Sequence, residues 1–362
     1  MAATLTPPSQ DEAAARAARV RIFEYSTAAA VQLPTQPCAA FPAALHEAPG
    51  ASRVVPLDLS AALGVGYAAT SPNLLASFIA LNAGESVAAP APCATSTAFF
   101  ALRGRGSTDC GEHGSIAWAQ GDLFVLPATR GALAHSAAAE CGAHGAALYA
   151  ICDEPLLRYL GVSASEARFG AAFYSRAVML AAVEAVRHEP GAEHRNRMGV
   201  LLANEACPQT KTLSPVLWAL LNVLPANTKQ PPHRHMSVAV DLCVSVGAGA
   251  EGKVYTLMGE QLDERGWVKD PVRMEWASGA VFTTPPGWWH SHHNESDVGT
   301  LCSDPNRANH RPNLAPIARD PNPEQADAWV LPTQDAGLFT HQRTLDITFS
   351  FAKPEPAGSG GR

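Results

Sequence analysis

Charge is scarce in this chain. Only 16% of its 362 residues are Asp, Glu, Lys or Arg, the formal net charge is −7, and no Lys/Arg run occurs. A phosphate-tracking surface is therefore missing, and no nucleic-acid partner is expected. No apolar stretch approaches the ~20 residues that cross a bilayer, so no membrane association is expected. The N-terminus through Phe23 lacks a continuous apolar run and carries Asp11 and Glu12, which argues against a secretory leader. Cysteine pairs are absent too. Cys38, Cys93, Cys110, Cys141, Cys152, Cys207, Cys243 and Cys302 form no C-x-x-C, so cysteine zinc sites and thioredoxin-type chemistry are unsupported. These absences together point to a soluble, cytoplasmic protein with reduced thiols. What the chain does have is apolar bulk: 47% of residues are hydrophobic, enough for sizeable cores, and the length suggests about two domains.

The texture changes along the chain. Residues 1–70 are rich in Ala and Pro and read as an N-terminal arm that lies across another part of the molecule. From about Leu74 to residue 152, short apolar runs alternate with Gly and Asp turns, notably Phe78 to Leu81, Ser96 to Leu102 and Gly121 to Pro127. That spacing predicts a β-barrel or sandwich. Over 153–196 the period becomes helical, with Val178, Leu180, Ala181, Val183 and Val186 in step and Gly191 as a stop, so a helical connector is expected. Strand texture returns over 197–362, interrupted by a Pro/Asn/Asp-rich loop at 303–326. The two β regions also repeat one another. Asn82 to Glu85 stands where Pro225 to Thr228 stands, and Gly121 to Pro127 aligns with Gly279 to Pro285. Two halves from one ancestral unit are expected.

Three histidines carry the chemistry. His233 and His235 sit in the run PPHRH, and on a strand an i, i+2 pair points to one face. His290 closes a run that begins at Gly279 and continues to Asn294. Arriving from a later strand, it would complete a facial metal site with positions left open for substrate and oxygen. Neutral imidazoles accept Fe(II), Mn(II), Ni(II) or Zn(II), so the ligand set does not choose the metal. Strand parity turns Asp241 inward with His233 and His235, and turns His292 inward with His290. The expected roles are Asp241 as a carboxylate tuning the site and His292 as an inward acid/base, with His293 facing away. Trp288 and Trp289 are large planar residues able to wall an aromatic pocket, and Arg234 alternates outward. Gln334-Asp335 and the pair Arg343 and Asp346 read as a final hairpin with an ion pair.

These residues resemble the cupin superfamily. Its second motif, G-x5-P-x-G-x2-H-x3-N, is met by Gly279, Pro285, Gly287, His290 and Asn294. The first motif, H-x-H followed by Glu, is met at His233 and His235, while Ala239 and Val240 stand where the Glu is usual. Over Pro215 to Asn294 the chain looks like the bicupin gentisate 1,2-dioxygenase group and its salicylate- and hydroxynaphthoate-cleaving relatives. The resemblance rests on PVLWA from Pro215, PHRH from Pro232, Tyr255-Thr256 and PGWWHSHHN from Pro286. It implies an all-β bicupin: two antiparallel jelly-roll barrels, with 71–152 a degenerate cupin and 197–362 the metal-binding one. It also implies Fe(II) held by His233, His235 and His290 without a carboxylate, dioxygen as co-substrate, and a homo-oligomer.

The chain departs from the group in two ways. The intact motif lies in the second half, whereas the better-known enzymes carry their metal in the first. Asp241 also stands where those enzymes tend to have an Arg that would attract a carboxylated ring. In the first half, the place of H-x-H reads PAPCAT from Pro90, and His135 falls eight residues after Pro127, where His290 falls five after Pro285. His135 is read as a core or surface residue and that half as structural. Two rival functions stay open: a non-oxygenase cupin enzyme (lyase, isomerase or decarboxylase) and a non-catalytic binding bicupin.

Overall fold

The computed structural model describes residues 9–28, 36–192, 195, 197–296, 327–335 and 347–349. The loop at 303–326 and the pair Arg343 and Asp346 lie outside them. The chain divides into Met1–Thr35 and Gln36–Arg362. In the first unit, helix Gln10–Ala17 starts at Ser9, whose hydroxyl accepts from the Glu12 amide while the Glu12 carboxylate accepts from the Ser9 amide. This reciprocal cap, with Asp11 and Glu12 at the positive end of the helix, is what an eight-residue Ala-rich helix needs to start.

The second unit is mostly β. Four antiparallel sheets hold it together, two in each half. In the first half, one sheet runs Ala172–Tyr174, Leu123–Pro127, Ser96–Arg103, Ala146–Cys152, Leu75–Leu81, Arg53–Pro56. It faces a second sheet of Ser86–Pro90, Ala132–Ala137, Arg105–Asp109 and Ser115–Ala119. In the second half, one sheet runs Ala40–Phe41, Val281–Thr284, Ala239–Ser245, Ala328–Asp335, Leu217–Leu224, Met198–Leu202. Its partner runs Val272–Glu275, Val254–Gly259, Trp289–Asn294, His233–His235, Ile347–Phe349. Among the described residues no ladder joins the two sheets of either half. Over the described residues each half is therefore a pair of facing sheets, the sandwich that the strand spacing allows, where the resemblance implies jelly-roll barrels. Large side chains such as Phe99, Phe124 and Trp118 fill the first half and hold its sheets a side-chain layer apart.

The sheet containing Leu75–Leu81 and the sheet containing Leu217–Leu224 pack on each other, and strand alternation shows how. Phe78, Phe100, Leu123, Tyr149 and Ile151 point into a core shared with Leu217, Leu221, Val240, Leu242 and Leu331 of the second half. Their sequence neighbours Ile79, Phe99, Phe124 and Leu148 point the other way, into the first sandwich. Both faces of these strands are buried, which is why they read as unbroken apolar runs.

Two segments differ from the sequence expectation. The stretch 153–196 holds helices Glu154–Leu160 and Arg176–Arg187, but between them strand Ala172–Tyr174 completes the edge beside Leu123–Pro127. That edge would otherwise present a row of unpaired amides and carbonyls. The stretch read as an arm is likewise integral beyond Gln36. Ala40–Phe41 pairs with Val281–Thr284 of the second half, and Arg53–Pro56 pairs with Leu75–Leu81 of the first. One short segment thus stitches both halves.

His46 anchors that stitch. Its Nε2 lies 3.2 Å from the Gly279 carbonyl oxygen. Gly279 has φ +78°, and a Cβ there would stand 2.9 Å from the same nitrogen, so this motif glycine serves both the turn and the close approach. Burial foremost, then the Arg103 charge, pushes the His46 pKa down to about 4. The unfolded chain binds its proton near pH 6.5, so stability is present above that pH and is lost as pH falls toward 4, by up to about 3 kcal/mol. The melting temperature should therefore fall more steeply from pH 6.5 to 4.5 in the native protein than in His46→Gln. Parallel curves would remove His46 from the account.

Candidate metal centre

The site lies inside the second sandwich. Strand His233–His235 buries its first and last residues and exposes Arg234 between them, as a two-residue period requires. His233 is directly opposite His290 in the neighbouring strand. Cross-strand register thus brings the third imidazole to the first two. One ring nitrogen from each of His233, His235 and His290 lies within 4.8 Å of the others, and all three residues are buried.

Protonation is arranged for metal binding. Burial, followed by the Arg197 charge, holds His233 well below the usual histidine range. Burial and neighbouring His235 do the same for His290, and burial takes His235 down to about 4. All three rings are neutral at pH 7. Two tautomers follow from backbone acceptors. His235 Nδ1 donates to the Ser237 carbonyl at 2.7 Å and His290 Nδ1 donates to the Trp288 carbonyl at 3.1 Å. The His290 Nε2 lone pair is left for an ion, whereas that of His235 faces the Gln334 amide at 3.1 Å, a contact that would have to yield for the ring to ligate. Three neutral nitrogens with no carboxylate suit a divalent first-row metal and do not select one. Ala239, 1% exposed, brings no ligand atom to the interior.

The other residues singled out by sequence divide. Asp241 is inward and 3% exposed, and accepts from the Thr284 hydroxyl at 2.7 Å. Burial pushes its carboxyl up to about 7, against the Thr284 bond and the Arg197 charge. His292 is inward as well, its ring 5.7 Å from that of His290, with Nδ1 2.8 Å from the Thr256 hydroxyl. His293 is on the other side of its strand, stacked on Tyr255 at 4.9 Å. Trp288 packs against the interior cluster of the second half. Trp289 stands apart: Arg234 lies 4.7 Å above its ring on the outer face, away from His290.

Two residues at the site carry no sequence signal. Arg197 is half-buried and places Nη2 2.5 Å from His233 Nδ1 and 3.3 Å from its Nε2. Burial pushes this guanidinium down to about 9, partly offset by Asp241, so it remains a cation at neutral pH. Arg197 precedes strand Met198–Leu202, and only the parity of that strand could have turned it inward. Gln334, read as part of a final hairpin, is buried in strand Ala328–Asp335. It donates to His235 Nε2 at 3.1 Å while its oxygen accepts from Ser237 Oγ at 2.9 Å.

No family model matches the chain, and no curated protein matches it in sequence. Solved structures match in fold. Salicylate 1,2-dioxygenase from Pseudaminobacter salicylatoxidans aligns over 91% of this chain and 94% of its own, with 14% identity and a TM-score of 0.57. Its adducts with gentisate, under Pseudoaminobacter salicylatoxidans, align over 92% of both chains, with 13% identity and a TM-score of 0.57. The chain therefore shares the fold of this salicylate 1,2-dioxygenase.

Proposed function

We propose that this protein is an Fe(II)-dependent ring-cleaving dioxygenase acting on a hydroxylated aromatic carboxylate of the gentisate kind, with His233, His235 and His290 as the metal ligands. The observation that carries the reading is the convergence of three buried neutral imidazoles without a carboxylate, beside one desolvated arginine. When bound, iron would bring the substrate and dioxygen together and pass electron density between them. Arg197 would receive the carboxylate of the substrate, taking over the attraction that an Arg at position 241 supplies in the resembling group. A guanidinium offers paired donors to a planar carboxylate, and a low-polarity pocket strengthens the contact. Asp241, held by Thr284, would offset part of the Arg197 charge. Trp288 would form an apolar wall for the ring. Gln334 would yield His235 Nε2 to the ion and keep its bond to Ser237 Oγ, while the Ser237 carbonyl holds the His235 tautomer.

The domain assignment follows from the same reading. Residues 197–362 would be the metal-binding cupin, 71–152 its degenerate partner and 153–196 the connector, in a cytoplasmic homo-oligomer. The test is metal analysis with oxygen uptake on gentisate, salicylate and a hydroxynaphthoate. One iron per chain and oxygen consumed in step with a carboxylated phenol are expected. Turnover that continues without oxygen would move the protein to a lyase, isomerase or decarboxylase. A metal-free protein after iron-supplemented expression would remove the enzyme reading altogether.

A further inference from the structure

The two halves share a buried trio that the metal reading does not use. In the second half, Trp276 Nε1 donates to the Thr256 hydroxyl at 2.8 Å, and the same hydroxyl meets His292 Nδ1 at 2.8 Å. In the first half, Trp118 Nε1 donates to the Thr108 hydroxyl at 3.0 Å, and that hydroxyl meets His135 Nδ1 at 2.9 Å. The registers coincide as well. Thr256 is opposite His292 and Met274, two residues before Trp276, while Thr108 is opposite His135 and Ile116, two residues before Trp118. Each trio ties three neighbouring strands at one buried hydroxyl. Thr108 and Thr256 are both fully buried.

This correspondence identifies what became of the ligands in the first half. His290 precedes His292 by two residues and is opposite His233. Leu133 precedes His135 by two residues and is opposite Ala89. Ala89, Ala91 and Leu133 therefore occupy the places of His233, His235 and His290, and Leu133 is buried in the core of that sandwich. No imidazole remains there to hold an ion, yet the Thr–His–Trp trio is intact. A purpose shared by both halves cannot be ligation or proton transfer at a metal.

We infer that His292 is a positioning residue: with Thr256 and Trp276 it pins strand Trp289–Asn294, and so fixes where His290 stands. The histidine ring bridges a hydroxyl and the packed face of the sandwich, with the Trp276 ring 5.5 Å away. His135 does the same work in the half that lost its ligands. The inference rests on the reading of His290 as a ligand, but its structural arm does not depend on any activity.

The experiment compares Thr256→Val with Thr108→Val, each stranding a buried indole N–H and a buried imidazole nitrogen. Melting temperature is read beside affinity for Fe(II), measured anaerobically by competition with a chromogenic chelator. Both variants should lose several degrees in melting temperature. Thr256→Val alone should bind Fe(II) about ten- to a hundredfold more weakly, the usual cost of removing support from a ligating strand. Thr256→Ser, which keeps the hydroxyl, should restore both readings. If Thr256→Val melts lower but binds Fe(II) as the native protein does, the trio is only structural and the inference is overturned. His292→Gln supplies the other arm. If it keeps native melting and metal affinity but loses one limb of the pH–rate profile, His292 transfers a proton and the inference is overturned. A native protein that itself binds no Fe(II) overturns both this inference and the metal reading, and the native sample, not a variant, is what shows it.

Discussion

His235→Ala is expected to abolish stoichiometric metal binding and oxygen uptake together, while the protein stays folded. Removing one of three imidazoles leaves two of the clustered nitrogens; Ala239 offers no ligand atom, and the Asp241 carboxylate is engaged by the Thr284 hydroxyl. A loss of even one supporting hydrogen bond around a metal costs about 10–100-fold in affinity, and loss of a ligand exceeds that. Folding should survive, since strand His233–His235 is held by its ladders on both sides. The stranded groups are the Gln334 amide and the Ser237 carbonyl, both partners of His235, so a drop of about 1–3 kcal/mol in stability is expected. Metal analysis, oxygen uptake and melting temperature on one preparation decide the matter. Full metal content in His235→Ala would place the ion elsewhere.

Arg197→Met is the second large effect, and its signature is selective. The KM for a carboxylated ring should rise about 100-fold or more, in line with the roughly 2–5 kcal/mol lost when one partner of a buried charge pair is removed. A phenol lacking the carboxylate should be turned over no worse than before. Stability should hold or improve. The guanidinium is desolvated enough to bring its pKa down to about 9, and replacing such a charge with a packed apolar side chain is often neutral or stabilising. Asp241, the group left behind, has a carboxyl already raised to about 7 by burial and can take up a proton rather than remain a stranded anion. Equal losses for carboxylated and uncarboxylated substrates would assign Arg197 to the His233 ring instead.

Much of the site was legible because it is local. His233 and His235 share a face by strand parity alone, and the second motif places His290, Gly279 and Asn294 at fixed intervals along one turn and one strand. Parity also turned His292 inward and His293 outward. It works equally for Trp289, which as an odd neighbour of His290 belongs on the outer face with Arg234. Residue type suggested a pocket wall there, and strand geometry overrode it. His135 shows the opposite case. Counted from Pro127 it looked misplaced as a partner of His290. Its true counterpart is His292, and only the strand register reveals this, because the turn after Pro127 is longer.

The sequence by itself determined the alternation that makes four sheets, the three imidazoles and the missing fourth ligand, since each depends on neighbours within a strand or a turn. The tertiary structure decided which distant side chains join them. Arg197, Gln334 and the clasp between His46 and Gly279 come from segments far apart in the sequence. No periodicity links such residues, because their meeting is set by sheet packing and not by the spacing of the chain.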